Sequence, residues 1–134
     1  VANNLVTTES GFVLDARQGK ELQDQINDVN NNLGKYNHTY PDSFSGQTFT
    51  QILDDFISNN YKSALCFYWE GETQPSDTVP ELANTRINSM YEFFRLDTNI
   101  ILIRVTTASA IYSKVFNTIS NTFIPWVKAT NTLV

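Results

Sequence analysis

The side chains best suited to chemistry lie around one long predicted loop. Trp69 and Glu70 come just before the loop, Asp77 and Arg86 lie within it, and Tyr91 follows it. A flat aromatic ring can stack on a sugar, while neighbouring charged groups bind its hydroxyls. Because recognition often resides in loops held by a rigid sheet, we expect these five residues to bind a ligand.

Two further aromatic side chains, Tyr112 and Trp126, are included among the predicted ligand-binding residues. Strand alternation places about half of the aromatic residues in a core, which is their usual location, and turns the others outward. Outward-facing tyrosine and tryptophan can stack on a sugar or pack against another chain. Both roles remain open for these residues.

Catalytic and metal chemistry have weaker support. Glu70 and Glu72 would share one side of an extended strand, and glycosidases hold two carboxyls ~5–9 Å apart, but solvated loop charges are the favoured interpretation. His38 is the only histidine and Cys66 the only cysteine, so one chain cannot build a zinc cluster from them. We expect an exposed linker histidine, although three copies of His38 could meet on an axis, and a buried, inert Cys66. We predict no catalytic residue, no metal site and no cofactor.

An antiparallel sheet is predicted to carry these residues. Five short segments are rich in aromatic and β-branched residues and are separated by turn residues. Most connections between them are short, which favours a meander, but residues 71–89 form a long connection. The predicted strands are 63–69, 90–96, 100–107, 110–116 and 123–129.

A short helix is predicted to pack on this sheet. Thr48 and Gln51 have the spacing of a capping box, and an apolar face at helical spacing follows them. Residues 35–47 contain Pro41, Gly46 and several polar residues, which predicts a linker. The apolar face consists of Phe49, Ile52, Leu53, Phe56 and Ile57.

The N-terminal region predicts a second helix of a different kind. Asp15 and Gln18 suggest a capping box at its start, and Gly34 suggests its end. Its apolar residues step by four, three and four, which is the rhythm of a coiled coil. The seam is one residue wide and flanked by polar residues, so we expect a parallel homotrimer. The seam residues are Leu22, Ile26, Val29 and Leu33.

The start of this helix resembles a known family. Residues 14–20, with the sequence Leu-Asp-Ala-Arg-Gln-Gly-Lys, follow Thr7-Thr8-Glu9 and look like a segment of bacteriophage and prophage tail fibres. In that family the segment lies where a slender trimeric shaft meets a distal domain. The resemblance implies a virion protein that contacts the bacterial surface.

A second resemblance lies near the C-terminus. Residues 111–116 followed by residues 123–128 are similar to the end of the knob domains of phage tail fibres and R-type pyocin fibres, with the usual paired tryptophans reduced to Phe123 and Trp126. The expected fold is α+β: an N-terminal trimeric coiled-coil helix, then a short helix packed on an antiparallel β-meander that forms a knob-like head. The expected divisions are a stem (1–34), a linker (35–47) and a head (48–134).

Composition limits the partners. The 134-residue chain is 41% hydrophobic, which suffices for one core, and its net charge of −5 argues against nucleic acid. Its longest apolar run is far shorter than a membrane span, so we expect no membrane insertion.

Three functions remain in competition. The first is a non-enzymatic receptor-binding tip that recognises a bacterial cell-surface polysaccharide and mediates host attachment. The second is a purely structural trimerisation or capping module of a fibre. The third is a hydrolase that degrades the same glycan, which is disfavoured because phage depolymerases usually have a large β-helical or propeller body. We expect the first.

Overall fold

The computed structural model describes residues 15–130, which fall into two compact units divided between Gly34 and Lys35. Residues 7–14 of the fibre-like segment lie outside the described residues. The described part is mixed α+β, as expected, with two α-helices and a seven-stranded sheet. Within residues 15–130, no helix is both long and apolar enough to cross a membrane.

The first unit contains helix α1 (Ala16–Leu33). Asp15 caps it, but the predicted capping box with Gln18 is wrong. The Asp15 carboxylate accepts the Arg17 amide at 2.9 Å and the Arg17 side chain at 3.1 Å, while the Gln18 amide donates to the Asp15 carbonyl oxygen. The helix ends at Gly34, whose amide donates to the Asn30 carbonyl and whose backbone stays right-handed.

The seam of α1 is open to solvent in the described chain. None of its residues is buried: Leu22 is half-buried, and Ile26, Val29 and Leu33 are 52%, 56% and 64% exposed. The helix therefore has an apolar stripe that the described residues do not cover. The trimeric coiled coil remains a prediction.

The second unit is the head. Its sheet contains a consecutive antiparallel meander from β2 to β5, while β1 is parallel to β2 at one edge. Both β6 and β7 pair with β5, so the last predicted strand is divided in two around Pro125. The elements are β1 (His38–Thr39), α2 (Phe49–Ser58), β2 (Ser63–Tyr68), β3 (Ser89–Arg95), β4 (Ile100–Thr106), β5 (Ala110–Asn117), β6 (Thr122–Phe123) and β7 (Val127–Thr130).

Helix α2 covers one face of the sheet. Its predicted capping box is confirmed, because the Thr48 side chain accepts the Gln51 amide and the Gln51 side chain accepts the Thr48 amide. It buries Phe49, Ile52, Leu53 and Phe56. These side chains share a core with the inward residues of β2 to β5, which include Cys66, Phe93, Ile103 and Val105.

Residues 35–47 differ from the predicted linker. Tyr40 and Phe44 are 5% and 1% exposed and belong to the core, and His38 lies in a strand and stacks on Tyr61 with ring centroids 4.1 Å apart. His38 is therefore half-buried and packed, not an exposed linker residue. No periodic pattern marks these residues, because the chain enters the core through a turn.

That turn (Asp42–Gly46, the left-handed turn) has an uncommon backbone. Ser43, Phe44 and Ser45 have φ values of 57°, 52° and 52°. A left-handed conformation costs an L-residue roughly 1–2 kcal/mol. The buried Phe44 ring offsets this cost, since it packs edge-on against Tyr68 at 5.3 Å and Tyr91 at 5.0 Å.

Candidate functional site

The long connection between β2 and β3 is folded onto the head. Val79 and Leu82 from this loop are 2% and 3% exposed and join the core. The buried side chain of Gln74 ties the loop to β3: its Nε2 donates to Ser89 Oγ at 2.5 Å, and its Oε1 accepts the Tyr91 hydroxyl at 2.6 Å. The predicted recognition loop is therefore held by its own buried groups.

Trp69 lies at the start of this loop with its side chain held in place. It is 54% exposed, and its indole stacks on Phe67 with centroids 5.8 Å apart and an angle of 19° between the rings. The indole Nε1–H donates to Asp42 Oδ2 at 3.2 Å, and the backbone N–H donates to Glu72 Oε2 at 3.4 Å. The Trp69 ring is therefore an exposed flat surface whose orientation is fixed by its contacts with Phe67 and Asp42.

A groove of about 270 Å³ adjoins this indole. Phe67, Trp69 and Met90 give it apolar walls, while Asn88 and Thr106 add an amide and a hydroxyl. Such a mixture suits a ligand with an apolar face and polar edges, which is the character of a sugar ring. We name these five residues the Trp69 groove.

Sequence reasoning identified only Trp69 of this groove. Phe67 could have been found from strand alternation, because residues two apart share a sheet face. Asn88 and Thr106 carry no local signal, because their approach to Trp69 depends on how the strands pair. Asp42, which orients the indole, is distant in sequence and was equally hidden.

Asp77 has a structural role. Its two carboxylate oxygens accept the amides of Phe49 and Thr50 at 2.9 Å each, so it binds the N-terminus of α2 from the loop. Burial alone would raise the pKa of Asp77, but these amide hydrogen bonds outweigh that effect and lower the pKa. Because its oxygens are engaged, Asp77 is poorly placed as a ligand contact.

Tyr91 does not fit its predicted role. It is 0% exposed, and its hydroxyl bonds Gln74 and Thr78 inside the head. Burial raises the pKa of the Tyr91 hydroxyl. Glu70 and Arg86 are exposed, and neither side chain has a hydrogen-bond partner within residues 15–130. Of the five residues predicted around the loop to bind a ligand, Trp69, Glu70 and Arg86 are therefore accessible to solvent.

The second predicted pair lies elsewhere on the head. Tyr112 is 5% exposed, and its hydroxyl donates to Glu81, which also accepts the Lys128 ammonium at 2.7 Å. Trp126 is half-buried with its ring 5.9 Å from Phe49. Both side chains pack on the covered side of the sheet, which leaves little of the Tyr112 ring for a ligand.

Cys66 is buried, as expected, and its thiol lies 3.1 Å from the Pro41 carbonyl oxygen. Burial raises the pKa of the Cys66 thiol to about 11, which keeps it protonated and inert near neutral pH. In the described part of the chain, no three histidine, cysteine or acidic side chains lie together as metal ligands would.

No protein-family model, curated protein or solved structure matches this chain significantly. The likeness to tail fibres therefore rests on the residues quoted above and stays a prediction.

Proposed function

We propose that the chain is the receptor-binding tip of a bacteriophage tail fibre, which attaches the virion to a polysaccharide on the bacterial surface without cleaving it. The fibre-like sequence of residues 14–20 supports the assignment to a fibre. The observation that carries the binding role is Trp69, an exposed indole whose orientation is fixed by Phe67 and Asp42.

Recognition would combine stacking with hydrogen bonding. A sugar ring on the Trp69 indole would place its hydroxyls near Asn88 and Thr106 of the Trp69 groove. One such subsite binds weakly, around millimolar. Several copies on one particle raise avidity by about 10²–10⁴ without tighter individual contacts.

We propose a homotrimer for two reasons. The seam of α1 is exposed, and the sheet face opposite α2 carries half-buried apolar side chains from β2, β3 and β4. At the centre of that open sheet face, Arg104 pairs with Glu92 at 3.1 Å, which leaves the patch neutral on an acidic chain. Copies can pack there without charge repulsion. The apolar residues proposed for this contact lie outside the Trp69 groove and include Leu65, Phe94 and Leu102.

The same two surfaces favour the competing structural function. A trimerisation or capping module needs the α1 seam and the open sheet face but has no use for an exposed, oriented indole. The accessibility of Trp69 is therefore the feature that separates receptor binding from assembly alone.

The experiment is a glycan array and a panel of bacterial strains probed with the wild-type chain and with Trp69→Ala. Burying a large apolar side chain contributes about 1.5–3 kcal/mol, so we expect the variant to bind at least about tenfold more weakly. Ile119→Ala is the matched control, because Ile119 is 77% exposed and lies outside the Trp69 groove. A folded wild-type chain that binds no glycan and no strain would favour the structural module.

A further inference from the structure

A second cleft lies between the left-handed turn and the start of the long loop. Its volume is about 420 Å³, which falls at the low end of the range for small-ligand sites. The turn contributes Ser43, Gln47 directly follows the turn, and the loop contributes Thr73 and Ser76. We name these four residues the turn cleft.

The polar groups of the turn cleft are unused by the protein. Ser43 Oγ is shielded from solvent and has no hydrogen-bond partner within residues 15–130. The side chains of Gln47, Thr73 and Ser76 likewise make no hydrogen bond to the described residues. A shielded hydroxyl without a partner is uncommon in folded proteins and calls for an explanation. Among the described residues, Ser43 is thus an unpaired polar residue at the wall of the cleft.

Two neighbouring side chains are by contrast engaged within the protein. Gln74 also lines the cleft, but its amide is committed to Ser89 and Tyr91. Thr48 lines it as well, and its hydroxyl caps α2. The cleft thus combines a fixed frame with free donors and acceptors, which is the arrangement of a binding site.

The charges in and around the turn cleft limit the class of ligand that it can bind. No lysine, arginine, aspartate or glutamate is among the residues that line the turn cleft. Asp42, Glu72 and Asp77 flank the lining residues in sequence, and each already accepts a hydrogen bond from the protein. An anionic ligand would find three nearby carboxylates and no cation in the lining, while a cationic ligand would find no carboxylate in the lining itself.

We propose that the turn cleft binds an uncharged sugar residue and discriminates against acidic sugars, as a subsite that rests on the glycan-binding function proposed above. Hydroxyl and amide side chains pair with sugar hydroxyls. The left-handed turn holds Ser43 in position, and the Gln47 amide donates to the Phe44 carbonyl oxygen of that turn. The four residues that define the turn cleft and the five that define the Trp69 groove do not overlap, so a variant of one set leaves the other side chains intact.

The test is a nuclear magnetic resonance titration of the ¹⁵N-labelled chain. The probes are methyl glycosides of glucose, galactose, mannose and N-acetylglucosamine, with methyl glucuronide and methyl galacturonide as acidic counterparts. We expect at least one neutral glycoside to shift the amides of Gly46, Gln47, Thr73 and Ser76 saturably. The uronide with the same ring should bind about tenfold more weakly.

Three variants locate the effect. Thr73→Val removes one hydroxyl at nearly constant volume and should weaken the response severalfold. Ser76→Trp fills the cleft and should abolish it, whereas Ser58→Trp places the same bulk on an exposed helix position and should leave it unchanged. Dispersion of the amide spectrum verifies that each variant folds.

Three results would overturn the inference. Equal shifts by uronides and neutral glycosides would remove the charge selectivity, and undiminished shifts in Ser76→Trp would place the ligand elsewhere. No cleft shift with any neutral glycoside, up to tens of millimolar, would reject the subsite. If the Trp69 indole then still responds to a sugar, the proposed function survives and only the turn cleft fails.

Discussion

Both described helices have an amphipathic sequence pattern, but only α2 has its apolar face buried by the described residues. Helix α2 has ten residues and buries four of them, whereas α1 has eighteen residues and buries none. The sheet of the same chain covers the apolar face of α2, but no described residue buries the seam of α1. Because most helical stability in proteins comes from packing of an apolar face, the trimer that we propose would supply what the described chain does not give to α1. Amphipathic periodicity thus predicts a helix without revealing which molecule supplies its partner.

The largest expected effect concerns α2, whose apolar face is covered by the sheet of the same chain. Phe56 in α2 is 0% exposed and its ring lies 5.5 Å from that of Phe93. Phe56→Ala should lower the free energy of unfolding of the head by about 3–5 kcal/mol, because it leaves a cavity in the core. Both tryptophans, Trp69 and Trp126, belong to the head, so urea denaturation followed by their fluorescence measures this change.

Val29→Ala in α1 is the matched control. Val29 is 56% exposed, so its truncation should leave the tryptophan-detected unfolding of the head nearly unchanged. A loss as large as that of Phe56→Ala would mean that the head depends on the α1 seam for its stability, and the contrast between the two helices would fail.

The next prediction concerns α1, whose proposed partners are other copies of the chain. Ile26→Asp places a charge on the seam, where three copies would bury it without a counter-charge. We expect the protein concentration at half-assembly to rise at least about tenfold in sedimentation equilibrium. Asn27→Asp adds the same charge next to the seam and should retain the assembly. A wild-type chain that is monomeric at micromolar concentration would contradict the trimer itself.

Local features of the fold were predictable from the sequence. The capping box of α2 spans only four residues, so Thr48 and Gln51 identify it by themselves. Alternation in β4 is equally local: Ile101, Ile103 and Val105 face the core, as period two requires. These patterns also sufficed to predict the α+β class.

Features that depend on distant pairing were missed. Tyr91 lies opposite Cys66 in the sheet, which turns it into the core, while Trp69 follows the other strand face. Phe44 enters the core from a left-handed turn, for which Ser43-Phe44-Ser45 gives no glycine signal. The location of Asp77 at the start of α2 likewise follows from tertiary folding. The candidate site was therefore predictable as a region, through Trp69, but not as a set of contacts.

A smaller effect should separate the two helix N-termini. The amides at the start of α2 are bound by Asp77 from the distant loop, whereas Asp15 caps α1 from the adjacent position. Asp77→Asn removes the charge and one acceptor, and should cost about 1 kcal/mol of head stability, reduced by solvent screening. Asp15→Asn, the control, should leave the tryptophan-detected unfolding of the head unchanged.

The lowered pKa of Asp77 predicts how its contribution to head stability changes with pH. The pKa of Asp77 is lower in the folded head than its ordinary value of 3.8, so its stabilisation is present above that pH. It is lost as the pH falls through the lower, folded-state pKa. The stability difference between wild type and Asp77→Asn should therefore shrink on acidification below pH 3.8. A difference that stays constant or grows there would contradict the capping role.

The smallest expected effect concerns Gly19, three residues before Leu22, where the four-three spacing of the α1 seam predicts a further seam position. A Cβ atom added at Gly19 meets nothing within 4 Å in the single chain, and alanine is favoured over glycine in a helix by about 1 kcal/mol. If α1 stood alone, Gly19→Ala would therefore raise its thermal stability. In the trimer that we propose, the glycine lets three backbones approach, so the added methyl groups should cancel or reverse that gain.

Far-UV circular dichroism at two protein concentrations measures this change, with Asn27→Ala as the control, because Asn27 is exposed and lies off the seam. We expect Asn27→Ala to stabilise α1 and Gly19→Ala to leave it unchanged or weaker, and Gly19→Leu to separate the start of the stem. Equal stabilisation by the two alanine variants would show that Gly19 faces solvent. The partner of α1 would then have to contact the helix C-terminal to that position, along Ile26, Val29 and Leu33.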